Sequence, residues 1–390
     1  MKVLFISENY YPNFSGVPVV VQYLAETLAK KGNDVTVLTK KMGDLKQDDC
    51  LNGVKIHRIG VFINCLKFYR GDIESYIKYI KEFNADVYIF EGATVVTTDL
   101  FLPYLAELDG IKLLHSHGFS RLILKPFEKM STLKNTLGNT YNYIRWKGYF
   151  KKTLPKYINE FDGVICLSKL DSSYDYLRKI YCKTVYTLGN AADDIFFCHS
   201  NNTISRYTEI EGDGYLLSVA NYDAVKNQIG ILQEFYKSKI TNYDLVFIGR
   251  EKNYYYQALV DENERLKQKY GKRNIHFLTN VDRNDIPGIY EYASLYLVAS
   301  TAEGYSISII EAMAKGIPFI STNVGNAKEL LGGIVIDSIE DMSCKIRTVL
   351  NNKEIYKELS KQGKLYALTN CRIETACNKL INIIKESEKK

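Results

Sequence analysis

Ala302-Glu303-Gly304-Tyr305-Ser306-Ile307-Ser308-Ile309-Ile310-Glu311-Ala312-Met313-Ala314-Lys315-Gly316-Ile317-Pro318 sets two glutamates, separated by seven residues, around the predicted start of a helix that runs into a buried strand. The free N–H groups of a helix start can hold a phosphate, and carboxylates beside it can grip sugar hydroxyls. An apolar run alone would read as core. A glutamate on each side of it does not, because an unpaired buried carboxylate is costly. The stretch reads as a nucleotide-sugar site.

Working outward, the second half alternates strands and helices. Strand candidates are Tyr215–Ala220, Asp244–Gly249, Ile275–Thr279, Leu295–Ala299, Pro318–Thr322 and Gly333–Ile336, and the pattern is purely helical after Ser338. The first half has the same rhythm. Lys2–Ser7 is a β-branched apolar run, followed by a Pro/Gly loop and an amphipathic helix over Val17–Lys31 that Gly32 and Asn33 close. Further strands are expected at Asp34–Thr39, Val54–Ile59, Asp86–Phe90, Ile111–Ser116, Gly163–Leu167 and Thr184–Leu188. The fold class is α/β: two doubly wound parallel sheets, with ligands expected at their facing strand ends. The expected domains are 1–199, 200–370 and a terminal helix over 371–390 packing back on the first, with polar Ser200–Asp213 as linker.

The chain has 390 residues, enough for two cores, and no apolar run of membrane-spanning length. Val3–Ile6 is too short for a signal-peptide core. Eight scattered cysteines with no C-x-x-C pair argue against a disulfide framework or zinc site and for a reducing, cytoplasmic setting. Between Phe119 and Tyr157 nine Lys or Arg residues face one acid, Glu128, a local excess larger than the whole chain's surplus of six. Aromatic residues interleave there, including Phe127, Tyr141, Tyr143, Trp146, Tyr149 and Phe150. This suits an anionic membrane surface, and equally a solvated helix face. No recognised motif supports nucleic acid as a partner.

Three more pieces could carry chemistry. The loop Tyr11-Pro12-Asn13-Phe14-Ser15-Gly16-Val17-Pro18 ends the first strand, and Gly16 would let backbone approach a ligand; it is not G-x-G-x-x-G. In His115-Ser116-His117-Gly118, at a strand's carboxyl end, His115 reads as structural and His117 as the functional candidate. Ser218-Val219-Ala220-Asn221-Tyr222-Asp223-Ala224-Val225-Lys226-Asn227 puts a lysine where it can neutralise a diphosphate.

Together and in this order, these pieces resemble the retaining nucleotide-sugar glycosyltransferases of family 4 (glycosyl transferases group 1), which have the two-domain GT-B fold. Glu303 to Glu311 is similar to the family's E-x7-E motif, and Glu311–Pro318 to its E-A-M-A-x-G-x-P. Asn190-Ala191-Ala192-Asp193 resembles P-N-G-V-D, Asn323-Val324-Gly325-Asn326 resembles D-V-G-G, and Glu329 matches a glutamate further on. The resemblance implies that Gly16 brings its loop against the donor diphosphate, that His117 faces the transferred sugar, and that Lys226 stabilises the departing diphosphate. It further implies that Glu303 binds donor-sugar hydroxyls, Glu311 the ribose hydroxyls, the N–H groups of Ile307 and Ser308 the phosphates, and Asn280 and Val281 the base.

The family has Arg where this chain has Asn221, Gly where it has Ala220, and Gly where it has Ser15; Arg250 is the candidate replacement cation. No D-x-D occurs, so no metal or other cofactor is expected. The implied activity is metal-independent, retaining transfer from a nucleotide diphosphate, UDP by family frequency, to a glycan or lipid-linked acceptor. That acceptor would belong to bacterial cell-surface polysaccharide biosynthesis and be bound through loops Cys50–Arg70 and Phe119–Trp146. The alternatives are a nucleotide-sugar epimerase of the same fold and a non-catalytic nucleotide-sugar binding protein.

Overall fold

The computed structural model describes residues 1–12, 16–64, 68–123 and 133–388. Ser15, Phe127, Glu128 and part of each expected acceptor loop lie outside them. The chain forms two compact units, 1–189 with 376–390, and 190–375.

The first unit holds β1 (Lys2–Ser7), β2 (Asp34–Lys40), β3 (Asp48–Leu51), β4 (Val54–Ile59), β5 (Val61–Ile63), β6 (Tyr69–Gly71), β7 (Val87–Glu91), β8 (Ile111–His115), β9 (Gly163–Cys166) and β10 (Val185–Thr187). Its sheet runs β10-β9-β8-β7-β1-β2-β4-β3 and is parallel except for β3, while β5 and β6 pair separately as an antiparallel ribbon. Helices cover both faces, so a central strand such as β1 is an unbroken apolar run rather than an alternating one. The helix Val17–Lys30 starts at Gly16, whose φ of 57° and ψ of −128° suit only glycine. It closes as predicted, with Gly32 at φ 84° and the Asn33 N–H on the Leu28 carbonyl at 3.2 Å. The polar, exposed β3 and the short β5–β6 ribbon were not expected, because they carry no apolar alternation.

The second unit has one parallel sheet, ordered β13-β12-β11-β14-β15-β16, from β11 (Tyr215–Val219), β12 (Asp244–Gly249), β13 (Ile275–Thr279), β14 (Leu295–Val298), β15 (Phe319–Thr322) and β16 (Gly333–Ile336). Each expected strand is present to within two residues at either end. Both sheets reverse their order beside their first strand, between β1 and β7 and between β11 and β14. The loops leaving these pairs diverge and open a crevice at the carboxyl ends of the strands.

The expected domain boundaries shift. Residues 190–199 belong to the second unit: Ala192 and Phe196 lie in its core, and the Ala192 N–H bonds the Cys371 carbonyl at 3.0 Å. Ser200–Asp213 is no free linker, because its polar groups are spent on the same unit. Thr203 Oγ1 donates to the Asp285 carbonyl at 2.6 Å, Tyr207 OH to Asp285 Oδ2 at 2.6 Å, and the Ser200 N–H to Glu291 Oε2 at 2.7 Å. No helix of the described residues is long and apolar enough to cross a membrane.

From Ala376 onward the last helix (Ile373–Glu388) belongs to the first unit, and Cys377, Leu380, Ile383 and Ile384 are buried along one face. Ending the chain at Thr375 removes roughly 6 kcal/mol of apolar burial. The expected outcome is a first unit that is cleaved in limited proteolysis under conditions where the full chain resists.

Candidate functional site

In the second unit the site is built on the reversal between β11 and β14. After β11 the chain makes a short turn, Ala224–Lys226, in which the Asp223 carboxylate accepts the Val225 N–H at 2.7 Å; Asn227, at φ 50°, then caps the helix Gln228–Ser238. After β14, the Thr301 N–H bonds the Val225 carbonyl at 2.8 Å and ties the two loops together. Lys226 Nζ and Glu303 Oε1 therefore meet at 2.5 Å, and Ser300 Oγ donates to the same oxygen at 3.0 Å. Both side chains keep a partly open face, with 30% and 16% exposure.

The helix Ile307–Ala314 begins at Ser306, whose side chain does not cap it, so the first-turn N–H groups of Ile307 and Ser308 remain available. Gly325 packs under the Glu303–Gly304 turn: a Cβ there would stand 2.9 Å from the Gly304 carbonyl oxygen. Glu311, on the same helix, is buried, and burial pushes its pKa up to about 7 against the pull of Arg283 and the Tyr290 hydroxyl. Tyr296 OH donates to the Val219 carbonyl at 3.1 Å and braces the two strands beneath the site. Sequence reasoning missed Arg283, Ser300, Tyr290 and Tyr296, since no motif marks a residue whose role is to face another side chain. Asn221 and Arg250 are exposed at the ends of β11 and β12, and among the described residues no hydrogen bond or ion pair joins either to Lys226 or Glu303. Asn280, at φ 56°, is exposed after β13, with Val281 half-buried beside it.

In the first unit, Gly16 and His117 follow β1 and β8. His117 holds φ 52°, an unusual backbone for histidine, with Gly118 at 85° after it. Its Nε2 meets Oε2 of the fully buried Glu91, at the end of β7, and His115 Nδ1 lies 3.1 Å from that same oxygen. Burial alone would raise the Glu91 pKa; the two imidazoles more than reverse this and hold it at about 2. His117 is shifted down, by burial and by His115. The ligand atoms of Glu91, His115 and His117 lie within 4.8 Å of one another, a donor set that a divalent cation could use. Beyond them Asp99, pushed up to about 7 by burial, accepts from Tyr149 OH at 2.6 Å. Arg121 bonds the Thr94 carbonyl and stacks on Trp146, 4.2 Å from the ring centroid.

Residues 200–366 match the family model described as Glycosyl transferases group 1. The second unit is a glycosyl transferases group 1 domain. Over 96% of its length the chain is 24% identical to a probable sucrose-phosphate synthase of Thermosipho melanesiensis, covering 92% of that protein. It is 25% identical to the Escherichia coli O-antigen biosynthesis glycosyltransferase WbnH, across 85% of this chain and 86% of that one. The structure of Anabaena Alr3699/HepE, solved in complex with UDP and glucose, superposes with a TM-score of 0.71 at 16% identity, covering 99% of this chain and all of that one. The fold is GT-B, two Rossmann-like α/β units, and the group 1 transferase domain is its second unit.

Because Glu311 titrates above its ordinary value, the folded protein retains a proton there that the unfolded chain gives up, and stability falls as pH rises from about 4.5 to about 7. Glu311→Gln is therefore expected to melt higher than the parent at pH 8 and alongside it at pH 5, in paired thermal melts.

Proposed function

We propose that the chain is a metal-independent, retaining glycosyltransferase that moves a sugar from a UDP-sugar to a glycan or lipid-linked acceptor in bacterial cell-surface polysaccharide biosynthesis. The observation that carries this reading is the Lys226–Glu303 pair beside an uncapped helix start that also presents Glu311. Glu303 and Glu311 accept hydrogen bonds from the donor sugar and the ribose. The Ile307 and Ser308 N–H groups take the diphosphate, and Asn280 with Val281 takes the base. As the anomeric C–O bond breaks, positive charge grows on the ring and negative charge on the leaving diphosphate, where Lys226 and the helix dipole stabilise it. The acceptor oxygen bonds the anomeric carbon on the leaving-group face and passes its proton to the diphosphate. Arg250 supplies the second cation that Asn221 cannot. UDP bound to the structurally similar HepE supports the carrier, and an O-antigen transferase among the relatives supports the acceptor class.

In this reading the protein works in the cytoplasm, docked on the inner face of the membrane. Tyr141 and Ile144 are 54% and 63% exposed on the helix Leu133–Gly148, and the exposed Lys147, Lys151, Lys152 and Lys156 follow. Apolar anchors flanked by lysines suit an anionic lipid surface. Vesicles containing anionic lipid should retain the protein at low salt and release it at high salt. Equal retention on neutral vesicles would overturn the docking model.

A thermal-shift screen against UDP, GDP, ADP and their sugar conjugates tests the donor. A selective rise with UDP compounds, lost in Glu311→Ala, is expected; no rise with any nucleotide would refute the reading. Lys226→Ala should lower kcat on the order of 10²- to 10³-fold. Arg250→Ala should lower it by roughly tenfold, and a wild-type rate would remove Arg250 from the site.

A further inference from the structure

Trp146 is the chain's single tryptophan, and two guanidinium groups stack on it, with Arg121 Cζ 4.2 Å and Arg145 Cζ 4.4 Å from its ring centroid. The ring is buried, and both arginines are half-buried. Neither forms an ion pair among the described residues. Arg121 bonds the Thr94 carbonyl, and Arg145 makes no hydrogen bond among them. The two carboxylates near Arg121 are engaged elsewhere. Glu8, just past β1, pairs with Lys40 at 3.5 Å. Asp99 accepts the Tyr149 hydroxyl at 2.6 Å and the Thr94 N–H at 3.2 Å on one oxygen, and burial pushes it up to about 7, so near neutral pH only part of the population carries its charge. Half-buried guanidinium groups without an acceptor are costly, and their planar forks fit a phosphate or carboxylate. The frame around them is fixed. Thr94 holds φ 67°, a strained backbone for a β-branched residue, with its N–H on Asp99 and Tyr149 and its carbonyl on Arg121. Thr94 follows β7 by three residues, so the cluster lies at the carboxyl end of the first unit's sheet. Tyr69, from β6, is near enough to feel Asp99 and Arg145.

We propose that Arg121 and Arg145, stacked on Trp146, form an anion subsite that takes a phosphate or carboxylate carried by the acceptor, so that an acidic acceptor is preferred over its neutral counterpart. The acceptor half of this rests on the proposed transferase function. The anion-binding half does not. The exposed Tyr141, Ile144 and Lys147 of the same helix suit a flat lipid surface, whereas two recessed arginines beside a buried ring suit a single group that enters from the crevice.

Because Trp146 is the only tryptophan, its fluorescence in the full chain reads the subsite directly. The expected result is a saturable change in emission with glucose 6-phosphate or glucuronate, absent with glucose and with sodium chloride at equal ionic strength. Arg121→Gln and Arg145→Gln should each weaken that binding by roughly tenfold or more. No change with either acid, an equal change with glucose, or variants that titrate like the parent overturns the subsite. A change with phosphatidylglycerol vesicles and none with either acid assigns the arginines to a membrane surface and overturns it too. Cooperative melts show that the variants fold. Should the glutamine variants fail to, Arg145→Lys keeps a cation on the ring without the fork, and the same loss of affinity is expected of it. With the donor found in the thermal screen, acceptors that differ only in the acidic group should show a lower KM for the acidic member, an advantage lost in Arg145→Gln. Equal KM values in the parent overturn the acceptor half. Absence of transfer with every donor would instead refute the proposed function, and the emission titrations would still decide whether the arginines bind an anion.

Discussion

Strand β11 sits between β12 and β14, and the candidate site of the second unit depends on that order. Parallel strands are joined by helices that return over a face of the sheet, so two neighbours whose connections leave in opposite directions cannot both close over the gap between them. The loops after β11 and β14 border that gap. Lys226 rides on one and Glu303 on the other, and the backbone bond between Thr301 and Val225 keeps them at contact distance. The first unit repeats the reversal between β1 and β7, which brings Gly16 and Glu91 to corresponding places.

Buried carboxylates take different protonation states according to their partners. Glu91 is fully enclosed, yet two imidazoles overcome the cost of burial and keep it ionised. Glu311 and Asp99 are equally enclosed, but their partners are hydroxyls and more distant arginines, and burial prevails. Sequence spacing shows that a glutamate is present. Only the surrounding side chains determine whether it carries a fixed charge or holds its proton toward neutral pH.

Much of the architecture was legible because doubly covered parallel strands are short, apolar and regularly spaced; β4, β12, β13 and β16 carry the bounds expected of them. The polar edge strand β3 was not, because an exposed edge needs no apolar pattern. Ser200–Asp213 misled for the opposite reason, since polar groups of its side chains and backbone are taken up by Asp285 and Glu291 rather than by solvent. Of the candidate site, the motif-bearing Lys226, Glu303 and Glu311 stand out in the sequence, and the structure brings Lys226 and Glu303 together. Arg283 and Tyr290, which face Glu311, lie more than twenty residues before it in the chain, and only the fold brings them near.

The terminal helix has a consequence for the order in which the protein is made. The ribosome completes β1 to β10 early, but residues from Ala376 onward that join the first unit are synthesised only after everything from Asn190 to Thr375. At ordinary elongation rates that is a delay of roughly 10–40 s. During that interval the apolar surface that Leu380, Ile383 and Ile384 cover in the folded unit stands open to solvent.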